Sequence, residues 1–233
     1  YGDHRDLHLS IRRQRQLCLR DRDVDDDGDD TIDSGEGHDT VDGGDDNDSI
    51  QSGSGNDTVT GGLGNDSIRG GGDNDSLSGG DGDDSLYGQG GQDTILGEAG
   101  DDSIEGGTSN DSIDGGDGND FAVGDLGNDT VLGDFGSDTV LGGGGHDSLS
   151  GGDDDDTVLG NGGHDTIVGD GGTDFLSGGT GDDLIESGVP TQFSLLSINN
   201  GSVLEGGTRL TSVFFEDFDT GVAQEFSGVT TLD

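Results

Sequence analysis

The sequence has few of the residues from which hydrophobic cores are built. Its 233 residues include no Met, no Trp, one Pro and one Cys, and only 24% are hydrophobic. Glycine, by contrast, accounts for 52 residues and has a high entropic cost of folding. So few apolar side chains cannot form a large core. A conventional globular enzyme is therefore not expected.

Positive charge is also scarce. Lys and Arg together number 8 against 53 Asp and Glu, which gives a formal net charge of -45 at pH 7. A chain with this charge repels itself, so we expect either disorder or a fold that a cation completes. Nucleic acid is not expected as a partner, because its binding depends on Lys and Arg that neutralise phosphates.

Several functional segments and motifs are missing as well. No stretch approaches 18 apolar residues, so no membrane-spanning helix is predicted. Residues 1–20 contain no apolar run typical of a signal peptide, and because Tyr1 stands where Met is usual we expect a fragment or a processed chain. Cys18 has no partner for an internal disulfide. No nucleophile elbow, zinc-peptidase motif or phosphate loop occurs, so the chain is not expected to be an enzyme.

The composition divides the chain into three regions. Residues 1–22 contain six of the eight Arg; its segment Leu7–Leu19 predicts a short helix, and the region is otherwise expected to be poorly ordered. Residues 23–188 consist mainly of Gly, Asp, Ser and Thr with single apolar residues. Residues 189–233 hold five of the eight Phe and predict a small β-rich cap, with strands over Thr191–Ile198 and Arg209–Phe215.

The central region is a repeat with a strict period of nine. An apolar residue recurs every nine positions from Ile32 to Ile185, in 18 units without insertion or deletion. An Asp lies two residues before the apolar residue in every unit. These candidate metal ligands are Asp30, Asp39, Asp48, Asp57, Asp66, Asp75, Asp84, Asp93, Asp102, Asp111, Asp120, Asp129, Asp138, Asp147, Asp156, Asp165, Asp174 and Asp183.

The consensus of the units is Gly-Gly-x-Gly-x-Asp-x-(apolar)-x, as in residues 61–69. The pattern resembles the RTX nonapeptide of hemolysin-type calcium-binding proteins, and the resemblance covers about 160 residues. It implies an all-β fold, a parallel β-roll (β-solenoid) in which two nonapeptides form one turn. About nine such turns would follow, with the small β-rich cap at the C-terminal end.

The loop residues suit calcium for a physical reason. Glycine permits tight turns with positive φ that aim carbonyl oxygens inward, and Asp adds a short carboxylate. Calcium prefers six to eight such oxygen ligands, whereas zinc would need Cys or His. The resemblance further implies that each Ca²⁺ lies between two loops that are two nonapeptides apart, taking one Asp from each. The limit is then about 16 ions, which would reduce the net charge to about -13.

Some loops lack a consensus glycine, which puts their metal sites in doubt. Asn and Asp tolerate the left-handed conformation better than Gln or Glu. The sites in doubt are those in which the second glycine is replaced, at Gln89, Glu98, Asp125, Asp134, Asn161 and Asp170. The third glycine is replaced at Asp46, Asp73, Ser109 and Asp154, and the loops around Ser109 and Asp154 are expected to bind more weakly.

Two surface features lie outside the calcium pattern. His146 and His164 are two nonapeptides apart and should stack; a transition-metal pair is conceivable, but two His do not close a site, and surface variants are favoured. Val123, Leu141 and Leu159 should form an apolar stripe on one face. Either residues 189–233 fold back over this stripe, which we favour, or it contacts a partner protein.

The resemblance also implies a biological setting. Proteins of this family are secreted by bacteria through type I secretion machinery that reads an uncleaved C-terminal signal, and residues 189–233 are compatible with one. We therefore expect an extracellular protein whose calcium binding is coupled to folding. The alternatives are a repeat module of an adhesin and the non-catalytic tail of a secreted hydrolase or pore-forming toxin.

Overall fold

The computed structural model describes residues 8–10, 18–20, 28–188, 195–197, 202–205 and 208–210. Every regular element in this part of the chain is a β-strand. None of the described residues forms a helix long and apolar enough to cross a membrane.

The strands of the repeat are short because each nonapeptide supplies only one. The strands of the described part of the chain are β1 His8–Ser10, β2 Cys18–Arg20, β3 Thr31–Asp33, β4 Thr40–Asp45, β5 Ser49–Ser54, β6 Thr58–Leu63, β7 Ser67–Gly72, β8 Ser76–Asp81, β9 Ser85–Gly90, β10 Thr94–Ala99, β11 Ser103–Thr108, β12 Ser112–Asp117, β13 Phe121–Leu126, β14 Thr130–Phe135, β15 Thr139–Gly145, β16 Ser148–Asp153, β17 Thr157–Gly163, β18 Thr166–Asp170, β19 Phe175–Ser177, β20 Leu184–Glu186, β21 Leu195–Ser197, β22 Ser202–Glu205 and β23 Thr208–Leu210. Those of the repeat are β3 to β20.

Alternate strands belong to two different parallel sheets. The odd-numbered strands β1 to β21 form one sheet, and the even-numbered strands followed by β23 form the other. Within the repeat each strand pairs with the strand two nonapeptides later, so that Ile50 lies beside Ile68 and Val59 beside Leu77. One turn of the coil is therefore two nonapeptides. The predicted parallel β-roll of about nine turns is confirmed.

The interior of the roll contains one apolar side chain from each strand. From Val41 to Ile185 every ninth residue is buried, with at most 2% of its surface exposed. Its neighbours along the strand face outward, because side chains of a strand alternate between its two faces. Ala122, between Ile104 and Val140 in the ladder, is the smallest member. The core is continuous but only two side chains wide, so it stabilises the roll less than an ordinary core stabilises a domain of this length.

The N-terminal region differs from the sequence prediction. The helix predicted over Leu7–Leu19 is wrong where the structure describes that segment, since β1 and β2 are strands. In their pairings with β3 and β4, His8 lies beside Thr31 and Cys18 beside Thr40, so both offsets are longer than two nonapeptides. The edges of β3 and β4 present backbone N–H and C=O groups that an added strand can satisfy, and this outweighs a weak local helical preference.

The C-terminal strands continue the roll and then reverse direction. β21 pairs with β19 and β22 with β20, both parallel, whereas β23 runs antiparallel to β22. The strands predicted over Thr191–Ile198 and Arg209–Phe215 overlap β21 and β23, and their other residues lie outside the described part of the chain. The domain boundaries at residues 22 and 188 stay predictions.

Candidate metal site

The first six residues of each nonapeptide contain the loop that joins one sheet to the other. We number them 1 to 6, with the Asp at position 6. Gly62 and Gly64, at positions 2 and 4, have φ of 123° and 118°, a region in which a residue with a Cβ is strained. The sequence therefore places Gly where the backbone must turn left-handed.

Loops that lack a consensus glycine keep the same kind of turn. All ten replacements at positions 2 and 4 of the described loops have positive φ, between 61° at Asp170 and 88° at Ser109. A Cβ built at the φ of Gly62 would collide with the carbonyl oxygen of Gly44 in the preceding turn, and side chains at position 2 accordingly occur at a lower φ of 61–79°. The replacements therefore strain the loops without changing their path.

The eighteen candidate Asp residues lie at position 6 in two columns of nine, one along each edge of the roll. Successive members of a column are hydrogen-bonded: the backbone N–H of each Asp donates to Oδ1 of the Asp 18 residues later, at 2.6–3.2 Å. The bond joins every predicted pair, from Asp30 with Asp48 to Asp165 with Asp183. One carboxylate oxygen thus holds neighbouring turns in register.

The second carboxylate oxygen faces the inside of the loop. In fifteen loops that have Gly at position 1, the Oδ2 atom is buried and has no hydrogen-bond partner. A Cβ added to Gly61 would collide with Oδ2 of Asp66 and crowd the carbonyl oxygen of Gly79 in the next turn, so the two oxygens border one small space. We call this space the glycine cradle. The carboxylates concerned are those of Asp48, Asp66, Asp75, Asp84, Asp93, Asp102, Asp111, Asp120, Asp129, Asp138, Asp147, Asp156, Asp165, Asp174 and Asp183.

Burial makes the charged form of these carboxylates unfavourable. It raises the pKa of Asp102 to about 7 and that of Asp84 to about 6, and the backbone hydrogen bond that each accepts opposes the rise only in part. Neighbouring carboxylates of the same column raise the pKa of Asp102 further. A negative charge in these columns is therefore costly at neutral pH unless a cation lies beside it.

The donors around the cradle fit a hard cation. Among the described residues no cluster of three His, Cys, Asp or Glu could hold a metal, so a cation held here must take backbone carbonyl oxygens as well as carboxylates. A buried carboxylate oxygen beside a carbonyl oxygen is a donor set that calcium accepts. The residues present are therefore suited to calcium and unsuited to a thiolate- or imidazole-bound metal.

A second ladder, at position 5, is absent from the sequence prediction. Side chains there accept hydrogen bonds from the backbone N–H of the residue 18 positions later, as Asn47 does from Asn65. The direction is opposite to that of the Asp ladder. Position 5 holds Asn, Asp or His in most units, and this frequency of short acceptor side chains is the signal that could have revealed it.

His146 and His164 belong to this second ladder. Their rings stack with centroids 5.0 Å apart, and Nδ1 of His146 accepts from the backbone N–H of His164 at 2.9 Å. Nδ1 of His164 accepts in the same way from Asp182. Because Nδ1 is used as an acceptor on both rings, the pair resembles the Asn residues at this position more than a metal site.

The apolar stripe lies on the outer face of the odd-numbered sheet. Val123, Leu141 and Leu159 stand side by side in β13, β15 and β17 and are half-buried. Phe121 and Phe175 flank them on the same sheet with 48% and 38% of their surface exposed. The described strands of residues 195–210 extend the end of the roll; whether other residues of the 189–233 segment cover the stripe is not tested by the described part of the chain.

Comparison with known protein families identifies the repeat as a calcium-binding one. A family model described as the RTX calcium-binding nonapeptide repeat (4 copies) matches residues 24–59, 60–95, 69–104, 96–131, 132–167 and 150–185. The matches together run from residue 24 to residue 185, and the described residues of this range, 28–185, form the regular turns. No curated protein sequence matches the chain.

Proposed function

The chain belongs to the family of RTX calcium-binding nonapeptide repeat proteins, and we propose that calcium bound between adjacent turns completes its fold. The ligands would be the position-6 carboxylates from Asp30 to Asp183 together with carbonyl oxygens of the loops. Bound calcium would supply positive charge that neutralises buried carboxylates. The chain itself supplies the register, through the Asp ladder, and the left-handed turns that direct the carbonyl groups.

The observation that carries this proposal is the buried Oδ2 atom without a hydrogen-bond partner, which recurs in all fifteen loops with Gly at position 1 and in the loop of Asp57. A single buried charge without compensation costs several kcal/mol, and the narrow apolar interior cannot offset this cost fifteen times over. A cation beside Oδ2 removes the penalty and adds binding energy to the folding reaction. We therefore infer that the metal-free chain is largely unfolded at neutral pH.

We further propose that the folding switch responds to the calcium concentration outside the cell. Extracellular calcium modules bind at about 10⁻⁴–10⁻³ M, and cytosolic calcium is too low to fill such sites. The chain would remain unfolded inside a bacterial cell and fold after export. By resemblance to the family, type I secretion machinery would export it and residues 189–233 would contain the signal.

The experiment that tests calcium-driven folding is far-UV circular dichroism during a Ca²⁺ titration, with Mg²⁺ as the control. We expect a steep conversion from coil to β-structure near millimolar Ca²⁺. Mg²⁺ should be ineffective, because it retains its water ligands and needs a stricter geometry. A spectrum that does not respond to Ca²⁺, or responds equally to Mg²⁺, would contradict the proposal.

The apolar stripe favours a second function, contact with a partner protein, as in an adhesin module. Phe121 and Phe175 are exposed beside it, and contiguous apolar surface of this kind often marks a contact site. A hydrophobic fluorescent dye should bind the calcium-loaded chain and should lose affinity when Val123, Leu141 and Leu159 are changed to Thr. Absence of dye binding to the unaltered chain would indicate that its own C-terminal segment covers the stripe.

A further inference from the structure

Two loops in consecutive turns of one edge have serine at position 1 in place of glycine. They contain Ser34, in the loop of Asp39, and Ser52, in the loop of Asp57. Both side chains are buried, with 4% and 0% of their surface exposed. Serine is a residue that seldom occupies a buried position without a hydrogen-bond partner, so the bonds of these hydroxyl groups show what the side chains do.

Both hydroxyl groups bond across the gap to the next turn. Ser34 Oγ donates to the carbonyl oxygen of Ser52 at 2.9 Å, and Ser52 Oγ donates to that of Gly70 at 2.7 Å. These acceptors are position-1 carbonyls. The equivalent carbonyl of Gly79 borders the cradle beside Asp66, as described above. Serine therefore bonds to the carbonyl oxygen that borders the cradle in a glycine loop.

The hydroxyl group of Ser52 bonds to the carbonyl oxygen and not to the neighbouring carboxylate. Its proton is directed to the carbonyl oxygen of Gly70, and Oδ2 of Asp57 stays buried without a hydrogen-bond partner. The hydroxyl group thus takes the place of a cation at the position-1 carbonyl oxygen only.

We propose that Ser34 and Ser52 replace calcium in two gaps of the roll, the gap between the loops of Asp39 and Asp57 and the gap between those of Asp57 and Asp75. The inference rests on calcium binding as the proposed function. The hydroxyl group occupies the cradle and ties the two turns together without a metal. Asp39 and Asp57 are then the two position-6 residues that are not calcium ligands. The maximum number of calcium ions bound per chain is then about 14, two fewer than the number of gaps between stacked loops.

The two serine gaps also make one end of the roll different from the rest. The two serine gaps lie near the N-terminal end on a single edge, where the Asp39 and Asp57 loops stack on each other. The opposite edge at the same height has Gly43 and Gly61 at position 1 and retains its cradles. On one edge, the first turns are therefore held together without calcium. All remaining gaps that have a glycine cradle need the ion.

The test counts bound calcium in the full chain by equilibrium dialysis and elemental analysis at saturating Ca²⁺. The double variant Ser34→Gly/Ser52→Gly restores both cradles and should bind two more ions per chain. Gly70→Ser continues the serine series, because its hydroxyl group would lie near the carbonyl oxygen of Gly88, and should bind one ion fewer. Ser54→Ala, at an exposed position of the same strand as Ser52, is the matched control and should leave the count unchanged.

Ser52→Ala separates occupation of the cradle from ligation. Alanine fills the space without an oxygen atom, so the count should stay at that of the unaltered chain. A lower count in Ser52→Ala or in the double glycine variant would make the serine hydroxyl a calcium ligand and overturn the proposal, as would an unchanged count in the double variant. If the unaltered chain binds no calcium, the proposed function fails with it; if it binds calcium normally, only this inference is at stake.

Discussion

The backbone N–H of Asp66 donates a hydrogen bond of 2.6 Å to Oδ1 of Asp84, 18 residues later in the chain. The other oxygen of the same carboxylate, Oδ2, is buried beside Gly79 without a hydrogen-bond partner. A single side chain thus has two separate tasks. Oδ1 fixes the register between turns, and Oδ2 is the atom that we propose as the ligand of the cation.

This division explains why Asp is present in all eighteen units. Asn could accept the register bond but would place an amide in the cradle. Glu would carry its carboxylate one methylene group further from the backbone than the stacking geometry of the turns permits. Asp alone reaches both positions with a short, charged side chain.

Replacing Asp84 by Asn tests the two tasks separately. Asn retains an oxygen acceptor for Asp66 but removes the charge at Oδ2. We expect the roll to form at a higher Ca²⁺ concentration and the free energy of unfolding in saturating Ca²⁺ to fall by about 1–3 kcal/mol. Circular dichroism during Ca²⁺ and urea titrations measures both quantities.

Asp83→Asn is the matched control for this substitution. Asp83 is exposed at position 5 and accepts the N–H of Asp101 at 3.0 Å through Oδ1, an interaction that Asn can keep. The free energy of unfolding of the Asp83→Asn variant should differ from that of the unaltered chain by less than about 0.5 kcal/mol. Equal effects of the two substitutions would mean that Oδ2 of Asp84 has no special role.

The glycine cradle can be filled by a single methyl group. In Gly97→Ala the new Cβ would collide with Oδ2 of Asp102 and with the carbonyl oxygen of Gly115. We expect a loss of about 1–3 kcal/mol in saturating Ca²⁺ from overpacking, together with a higher Ca²⁺ midpoint. Urea denaturation and Ca²⁺ titration would give the two values.

Gly72→Ala provides the comparison for this effect. A Cβ at Gly72 meets nothing within 4 Å, so the substitution alters glycine content without touching a cradle. It should leave the Ca²⁺ midpoint unchanged. A similar loss in both variants would attribute the effect to backbone entropy or local strain and would remove the cradle from the explanation.

The sequence predicted the roll well because its period is strict. A buried residue at every ninth position from Val41 and an Asp two residues before it determine the strands, the turn length and the stacking of loops. The prediction could not reveal that one carboxylate oxygen of Asp84 accepts the bond that fixes the register while the other faces the inside of the loop. That choice depends on the distance between neighbouring turns, which no single unit of the repeat encodes.

The N-terminal strands show where pattern reasoning fails. Leu7–Leu19 lacks the nonapeptide and has a local composition compatible with a helix, yet β1 and β2 add to the open edges of β3 and β4. The stabilising partner lies more than two nonapeptides away along the chain, so local propensity does not contain the information. The position-5 ladder was missed for a related reason, because its bonds connect residues that are neighbours only after the coil has formed.

The raised pKa values predict an unusual pH dependence in the absence of calcium. Burial raises the pKa of Asp48, Asp75, Asp102 and Asp156 to about 7, whereas an unfolded Asp titrates near 3.9. The folded chain therefore binds protons that the unfolded chain has released, and its stability falls as pH rises from about 4 through 7. In EDTA, β-structure should be greatest near pH 4 and disappear toward pH 8, as measured by circular dichroism.

Calcium should reverse this trend. Protons compete with Ca²⁺ for the same carboxylates, so the Ca²⁺ midpoint should rise as pH falls below about 7. A β-signal in EDTA that grows with increasing pH, or a Ca²⁺ midpoint independent of pH between 5 and 8, would show that the buried carboxylates are not linked to folding.

Strain at position 2 predicts a substitution that stabilises the roll. Gln89 has φ of 74°, and a side chain in this region costs about 1–2 kcal/mol. Gln89→Gly should raise the free energy of unfolding in saturating Ca²⁺ by about 0.5–1 kcal/mol, since the greater entropy of unfolded glycine offsets part of the gain. Gln89→Ala removes the same polar group but keeps a Cβ, so urea denaturation should show no comparable gain. Equal stabilisation by Ala and Gly would locate the effect in the Gln side chain and refute backbone strain as its cause.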